Sequence, residues 1–307
     1  KTTYHVNGKP TNYGDVTQYW WKYDQVEYDT SAITKVGDTI KTNTGWNHSE
    51  LTFTWKGCIE ERATIKKDGY YPIPSDAYDM QIDLVPTVDL KTQWGPWIPE
   101  LIWTRESFTN FKTPAYLSPW DTQNMATYNS GANAICPSPA RKLAPISASD
   151  LEMYLSSLVP SGKTYHDIGM VWGARLLSDK GLFAAENAGK NVSRHLIFMT
   201  DGETDTAIED YDAYGISALD RRRAADKFSL PTNILGNIEV ALRFNALCQE
   251  VKAKNMTIWV IAFGTSLTPL LSACSSPGKA FQAANAAELN DAFAKIATDI
   301  AQLRLTD

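Results

Sequence analysis

The sequence is poor in the groups from which most catalytic and metal centres are built. It holds four histidines and four cysteines in 307 residues. His5, His48, His166 and His195 are scattered, without His-Glu-x-x-His spacing, which removes the commonest zinc-hydrolase pattern. His166 lies beside Asp167, but neighbours in sequence point to different helix faces, so a helix-surface role is expected for it. Cys58, Cys136, Cys248 and Cys274 form no Cys-x-x-Cys pair and have no nearby histidine, which argues against zinc. An even count fits either buried thiols or two disulfides, and the possible pairings stay open. No Gly-x-Ser-x-Gly occurs, so a nucleophile elbow is excluded. No apolar run approaches the roughly 20 residues that span a bilayer. Basic charge is short too, with 29 Lys and Arg against 35 Asp and Glu. A net charge of -6 and a pI near 5.3 argue against nucleic acid and anionic membranes as partners. The one dense basic cluster, Arg221-Arg222-Arg223, lies between Asp220 and Asp226 and reads as a solvated face.

What is abundant is unevenly placed. Residues 1–146 hold eight of the ten tryptophans, ten of the fourteen tyrosines and eleven of the fifteen prolines. Many sit in turn-like settings such as Tyr70-Tyr71-Pro72-Ile73-Pro74 and Trp94-Gly95-Pro96-Trp97. The clear strand candidate is Leu51 to Trp55, with Leu51, Phe53 and Trp55 alternating. Residues 1–146 are therefore expected to be an aromatic- and proline-rich region of loops and short strands. Residues 147–307 read as a separate α/β unit.

In that second unit helices alternate with strands. Ser147 with Asp150 resembles a capping box, and Leu151, Tyr154, Leu155 and Leu158 follow at helical spacing. Pro160-Ser161-Gly162 breaks the helix. A second is expected from Thr164 to Ser178, with Ile168, Val171, Trp172 and Arg175 on one side and Gly169 and Gly173 allowing close packing against a sheet. Leu196-Ile197-Phe198-Met199 has no alternation, as expected for a parallel strand buried on both faces. Residues 203–235 are polar and carry no assignable pattern. A helix from Ile238 to Lys254 leads into a second buried strand, Thr257 to Phe263. Pro269 suits the first turn of a short helix through Cys274, and Ala280 to Ala283 is a weak strand. Leu289, Phe293, Ile296, Ile300 and Leu303 mark the last helix. The run is half of a doubly wound sheet with right-handed crossovers. The uncovered strand at 194–199 would be an aggregation hazard, so the missing strands are expected upstream of Lys1, with residues 1–60 as the second choice. With no signal peptide and no initiating Met, the chain reads as a fragment or a processed product.

Ser161-Gly162-Lys163-Thr164 is not a phosphate-binding loop, since Ser157 stands where the pattern needs glycine and a helix precedes it instead of a strand. What remains is an oxygen pair, the Thr164 hydroxyl at a helix start and the Asp201 carboxylate at a strand end. Both belong to the sheet edge where open α/β folds bind ligands. Hard oxygens suit magnesium, manganese or calcium. Taken alone, Thr164 is more simply a helix cap, and Asp201-Gly202 equally suits a solvated turn.

Ser161 to Thr164, Arg194 to Glu203 and Trp259 to Gly264 together resemble a von Willebrand factor A domain. Trp55-Lys56-Gly57-Cys58-Ile59-Glu60-Glu61-Arg62, Ser161 to Gly169 with Trp172-Gly173, Met199 to Glu203, Cys248 to Lys252 and Leu303-Arg304-Leu305 are similar to the TadG-like pilus-assembly proteins of the bacterial cell envelope. The resemblance implies a partial Rossmann-like domain at 147–307 with a large, mostly irregular or β insertion at 1–146. It also implies a metal-ion-dependent adhesion site in which Thr164 and Asp201 are ligands of Mg2+, or of Mn2+ or Ca2+. The Asp-x-Ser-x-Ser loop of such sites is not in this chain. Asp29-Thr30-Ser31-Ala32-Ile33 begins like it and lacks the second serine. Binding by two ligands is expected to be weak, because magnesium wants an octahedron of oxygens. The resemblance further favours an oxidising compartment, hence disulfides Cys248–Cys274, on crossover helices sharing a sheet face, and Cys58–Cys136.

The function this implies is non-enzymatic. It is protein–protein contact with other pilus or envelope components, in a protein anchored to a membrane upstream of Lys1 and without nucleic-acid partners. The alternative is a surface adhesin whose tryptophans stack on glycans.

Overall fold

The computed structural model of the chain describes residues 3–11, 14–22, 29–42, 51–99, 135–187, 189, 192–207, 210–223 and 232–303. Its first half is a set of small antiparallel pairs. β1 (Thr3–Thr11) and β2 (Gly14–Lys22) form a hairpin. β3 (Thr39–Thr42) pairs with β4 (Leu51–Thr54), and β5 (Ile59–Glu60) with β6 (Gly95–Pro96). The β1–β2 pair is longer than the short strands expected there. Its signal is the density of Thr, Tyr, Val and Trp on both sides of a two-residue connection. Ile40, Phe53 and Ile98 are the buried centre of a small cluster that also takes in Ile33 and Trp55.

The second half runs α1 (Ala148–Ser157), α2 (His166–Leu177), α3 (Ala184–Asn187), β7 (Arg194–Thr200), β8 (Tyr211–Asp212), β9 (Gly215–Ile216), α4 (Ser217–Asp220), α5 (Asn233–Ala253), β10 (Met256–Phe263), α6 (Pro269–Cys274), β11 (Ala280–Ala283) and α7 (Ala286–Leu303). β11, β10 and β7 form, in that order, a parallel sheet. The chain is thus mixed α/β, with a three-stranded parallel sheet between helices. Leu196, Phe198, Ile258, Val260 and Ala262 share one core with Met170, Val171 and Ala174 of α2, Phe244 and Leu247 of α5, and Leu271 of α6. Trp259 and Ile261 point the other way, into a smaller core with Ala292 and Ile296 of α7. Gly173 lets α2 come down on the sheet, since a Cβ there would stand 3.2 Å from Leu196.

Sharing of that core does not stop at residue 147. Tyr70, Ala77, Met80 and Ile82, from the aromatic half, are buried in it with α2 and α5.

Two expectations about the strands part company. β10, in the middle, is buried on both faces. β7, the end strand among the described residues, is covered on one face only. Ile197 is 39 % and Met199 51 % exposed. An end strand lacking a helix on its outer face has nothing to bury those residues against.

The capped start of α1 is as expected, with the Ser147 hydroxyl accepting from the Asp150 N–H at 3.1 Å. Its apolar stripe is nevertheless exposed, and no residue of α1 is buried. The cysteines pair as Cys58–Cys136 and Cys248–Cys274. Cys248 and Cys274 lie on α5 and α6 in the same core. Disulfides persist in oxidising, extracytoplasmic settings. Among the described residues no helix is long and apolar enough to cross a membrane.

Candidate functional site

The carboxyl end of β7 and the loop entering α2 meet at one edge of the sheet. Thr164 and Asp205 pair through their backbones, Thr164 N to Asp205 O at 2.9 Å and the return bond at 3.1 Å. Lys163 Nζ reaches Asp205 Oδ2 at 2.9 Å on the exposed rim. Two residues past Thr164, His166 Nε2 lies 3.1 Å from Thr200 Oγ1 and Nδ1 lies 3.1 Å from Thr204 Oγ1. Thr164 and Asp201 are therefore brought to the same edge. Asp201 is exposed and Thr164 half-buried. Thr164 is not the cap of α2, a position held by Tyr165 without a side-chain bond. The residue sits outside the helix, its backbone in the bridge with Asp205.

These donors suit a divalent cation in kind, being hard oxygens at the mouth of a sheet. They fall short in number. Among the described residues no cluster of three or more His, Cys, Asp or Glu could hold a metal. The Asp29 carboxylate accepts from the Ser31 N–H at 2.9 Å, and the hydrogen bonds from Ser31 hold it below its usual range.

His166 is not on the helix surface. It is 5 % exposed, edge-on to Phe198 at 5.4 Å and tilted against Phe244 at 5.3 Å. Burial lowers its pKa, against the opposing charge of Asp167 and a hydrogen bond to Gly202. The buried face of α2 is Asp167, Met170, Val171, Ala174 and Arg175, with Ile168 and Trp172 only half-buried. That spacing is helical, but its ends are charged, and this is why apolar periodicity put the face one residue off.

Those charged ends belong to a buried network that composition gave no hint of. Arg243 on α5 donates from Nε to Asp167 Oδ2 at 2.9 Å and from Nη1 to Thr64 Oγ1 at 3.2 Å. Its Nη2 meets the Asp79 carboxylate and, at 2.9 Å, the Tyr214 hydroxyl. Tyr214 in turn donates to Asp79 at 2.7 Å. Glu61 takes bonds from Arg175 at 2.9 Å, Trp172 at 2.6 Å and Trp94 at 3.0 Å. Arg62 lies over the Trp94 ring, 3.7 Å from its centroid, and burial, with Arg175 nearby, lowers its pKa to about 10. Arg223 pairs with Asp212 at 2.6 Å and is 6 % exposed, so this part of the basic cluster is not a solvated face. It is neutralised inside, where a cation without a carboxylate would be costly.

The network has a definite job. It fastens segment 60–97 and the β8–β9 hairpin onto α2 and α5. Burial alone would push the Asp79 carboxyl up; the facing Arg243 and hydrogen bonds from Thr64, Tyr214 and Arg243 outweigh it, and the net is a lowered value. Asp212 and Glu239 go the other way, raised chiefly by burial despite Arg223 and the Tyr70 hydroxyl respectively.

The described tryptophans of the first half are also spent internally. Trp97 is 5 % exposed and stacks on Tyr211 at 5.1 Å, and Trp94 lies 5.4 Å from Trp172. The tryptophans at 20, 21, 46, 103 and 120 fall outside the residues whose side chains are described.

Compared with models of protein families, with curated proteins and with solved structures, the chain matches none.

Proposed function

We propose that the chain is a non-enzymatic component of the bacterial cell envelope, of the von Willebrand factor A type found in TadG-like pilus-assembly proteins. It acts by protein–protein contact at the sheet edge that carries Thr164 and Asp201. What supports this reading is that the segments carrying those two residues meet at one edge, through the Thr164–Asp205 bridge and the bonds of His166 to Thr200 and Thr204. Thr164 and Asp201 would hold a magnesium ion, or manganese or calcium, and the ion supplies an electrostatic link to a carboxylate of the partner. Pilus or envelope proteins are the partners this chemistry fits, and the two disulfides suit such a location.

Contact with an envelope partner should then be lost on chelation and by Asp201→Ala. Contact surviving both would end the metal-mediated mechanism. Glycan binding by the aromatic half is the weaker reading, because Trp94 and Trp97 are already committed to the interior.

A further inference from the structure

The turn that carries Asp201 is closed by a directional chain of hydrogen bonds. Thr200 Oγ1 donates to the Gly202 carbonyl at 2.9 Å and accepts from the Gly202 N–H at 3.3 Å. With its single proton assigned to the Gly202 carbonyl, the bond to His166 runs from the ring to the hydroxyl, with Nε2 protonated. A neutral imidazole then leaves Nδ1 as an acceptor, and the Thr204 hydroxyl is its donor at 3.1 Å. The order is Thr204 O–H to Nδ1, Nε2–H to Thr200, and Thr200 O–H to Gly202. The chain spans residues 200–204 and passes through a ring packed against Phe198 and Phe244, which also touch each other.

We propose that His166 is the positioning residue of this edge, fixing the Thr200–Thr204 turn so that Asp201 stands beside the Thr164 loop. Three observations support it. The imidazole is at the start of α2, two residues past Thr164, so the ring and the Thr164 loop enter the site from one stretch of chain. Both ring nitrogens are spent on the turn, one on each side of Asp201-Gly202-Glu203. The ring is buried in a cluster with Phe198 and Phe244, which packs it in place. The role for a metal rests on the reading of Thr164 and Asp201 as ligands; the geometry of the turn does not.

The test compares His166→Phe, which keeps the aromatic packing and removes both bonds, with His166→Gln, whose amide can replace the Nε2 donor. In the wild type, 15N NMR of His166 should show the Nε2-protonated ring. His166→Phe should speed amide exchange at Gly202 and Thr204 at least about ten-fold and weaken Mn2+ binding by about ten-fold, the low end for residues that orient metal ligands. His166→Gln should recover most of both. A His166 ring protonated on Nδ1, or unchanged turn exchange in His166→Phe, overturns the proposal. If the wild type takes up no Mn2+, the metal reading falls, while tautomer and amide exchange still decide the role of His166. If His166→Phe does not fold, the tautomer and the exchange of the glutamine variant decide it instead.

Discussion

Replacing Arg243 by methionine probes the buried network at its most connected point. The guanidinium is 1 % exposed and serves Asp79, Asp167, Tyr214 and Thr64 at once. Methionine fills much of the volume but leaves Asp79, fully buried, with the Tyr214 and Thr64 hydroxyls as donors and no facing cation. Asp167 keeps the Ile168 N–H at 3.0 Å and, as its cation, the more distant Arg223 at 3.7 Å. Removing one partner of a buried ion pair costs roughly 3–5 kcal/mol. That is a large share of the roughly 5–15 kcal/mol that holds a domain folded. In urea the midpoint should fall by roughly 1–2 M for an m-value of about 3 kcal/mol/M. The pH dependence supplies a sign test. In the wild type the Asp79 carboxyl is depressed, so its contribution is present above about pH 4 and lost as the pH falls through its folded value. Without Arg243, burial dominates and raises it. The variant should therefore gain stability, relative to wild type, as the pH drops from 7 to 5. Adding Asp79→Asn and Asp167→Asn should return at least half of the loss. A cost under about 1 kcal/mol at pH 7, or parallel pH profiles, would refute the assignment of this network as the fastening between the two halves.

Three further outcomes follow from other parts of the molecule. Glu239 is raised by burial, so its contribution is full below about pH 4.3 and declines as the pH rises through its folded value; Glu239→Gln should flatten the fall in Tm between pH 4.5 and 7, and an unchanged slope contradicts this. The disulfides close segments of 26 and 78 residues, so chain entropy ranks loss of Cys248–Cys274, about 3.5 kcal/mol, below loss of Cys58–Cys136, about 4.5 kcal/mol. Paired alanine variants measured by denaturation would expose a reversed order, and denatured unreduced protein should show no thiols. On β7, Met199→Lys should shift stability by less than about 0.5 kcal/mol and Phe198→Ala by roughly 3–5 kcal/mol; comparable costs would mean that both faces are buried.

How much was legible in the sequence depended on whether a residue's role was apolar. β10, α6 and α7 follow from apolar runs, Pro269 and a helical repeat, and the Cys248–Cys274 pairing fits the two crossover helices. The β8–β9 hairpin and α4, in the unassigned 203–235 stretch, are held by polar contacts instead: Arg223 on Asp212, and the Asp220 carboxylate accepting from the Ile216 N–H at 2.7 Å. Such contacts have no period to read. Arg243 occupies a core position at helical spacing, but its charge hid its burial, whereas Arg175 was already on the expected face of α2. His166 was hidden for the same reason, since a polar residue at a helix start reads as surface. Thr164 and Asp201 were visible as strand-end and loop residues, but the bonds that draw their segments together cross more than thirty positions. At β7 the difficulty was different. Its apolar run carries no information on whether a neighbour covers the second face.

The central claim is that Thr164 and Asp201 hold a divalent cation, and direct titration with Mn2+ tests it. The account expects weak binding, with a Kd on the order of 10⁻³ M given two protein oxygens, abolished by Asp201→Ala and weakened by Thr164→Ala. Binding of equal strength in wild type and Asp201→Ala, or none in the wild type, would contradict it.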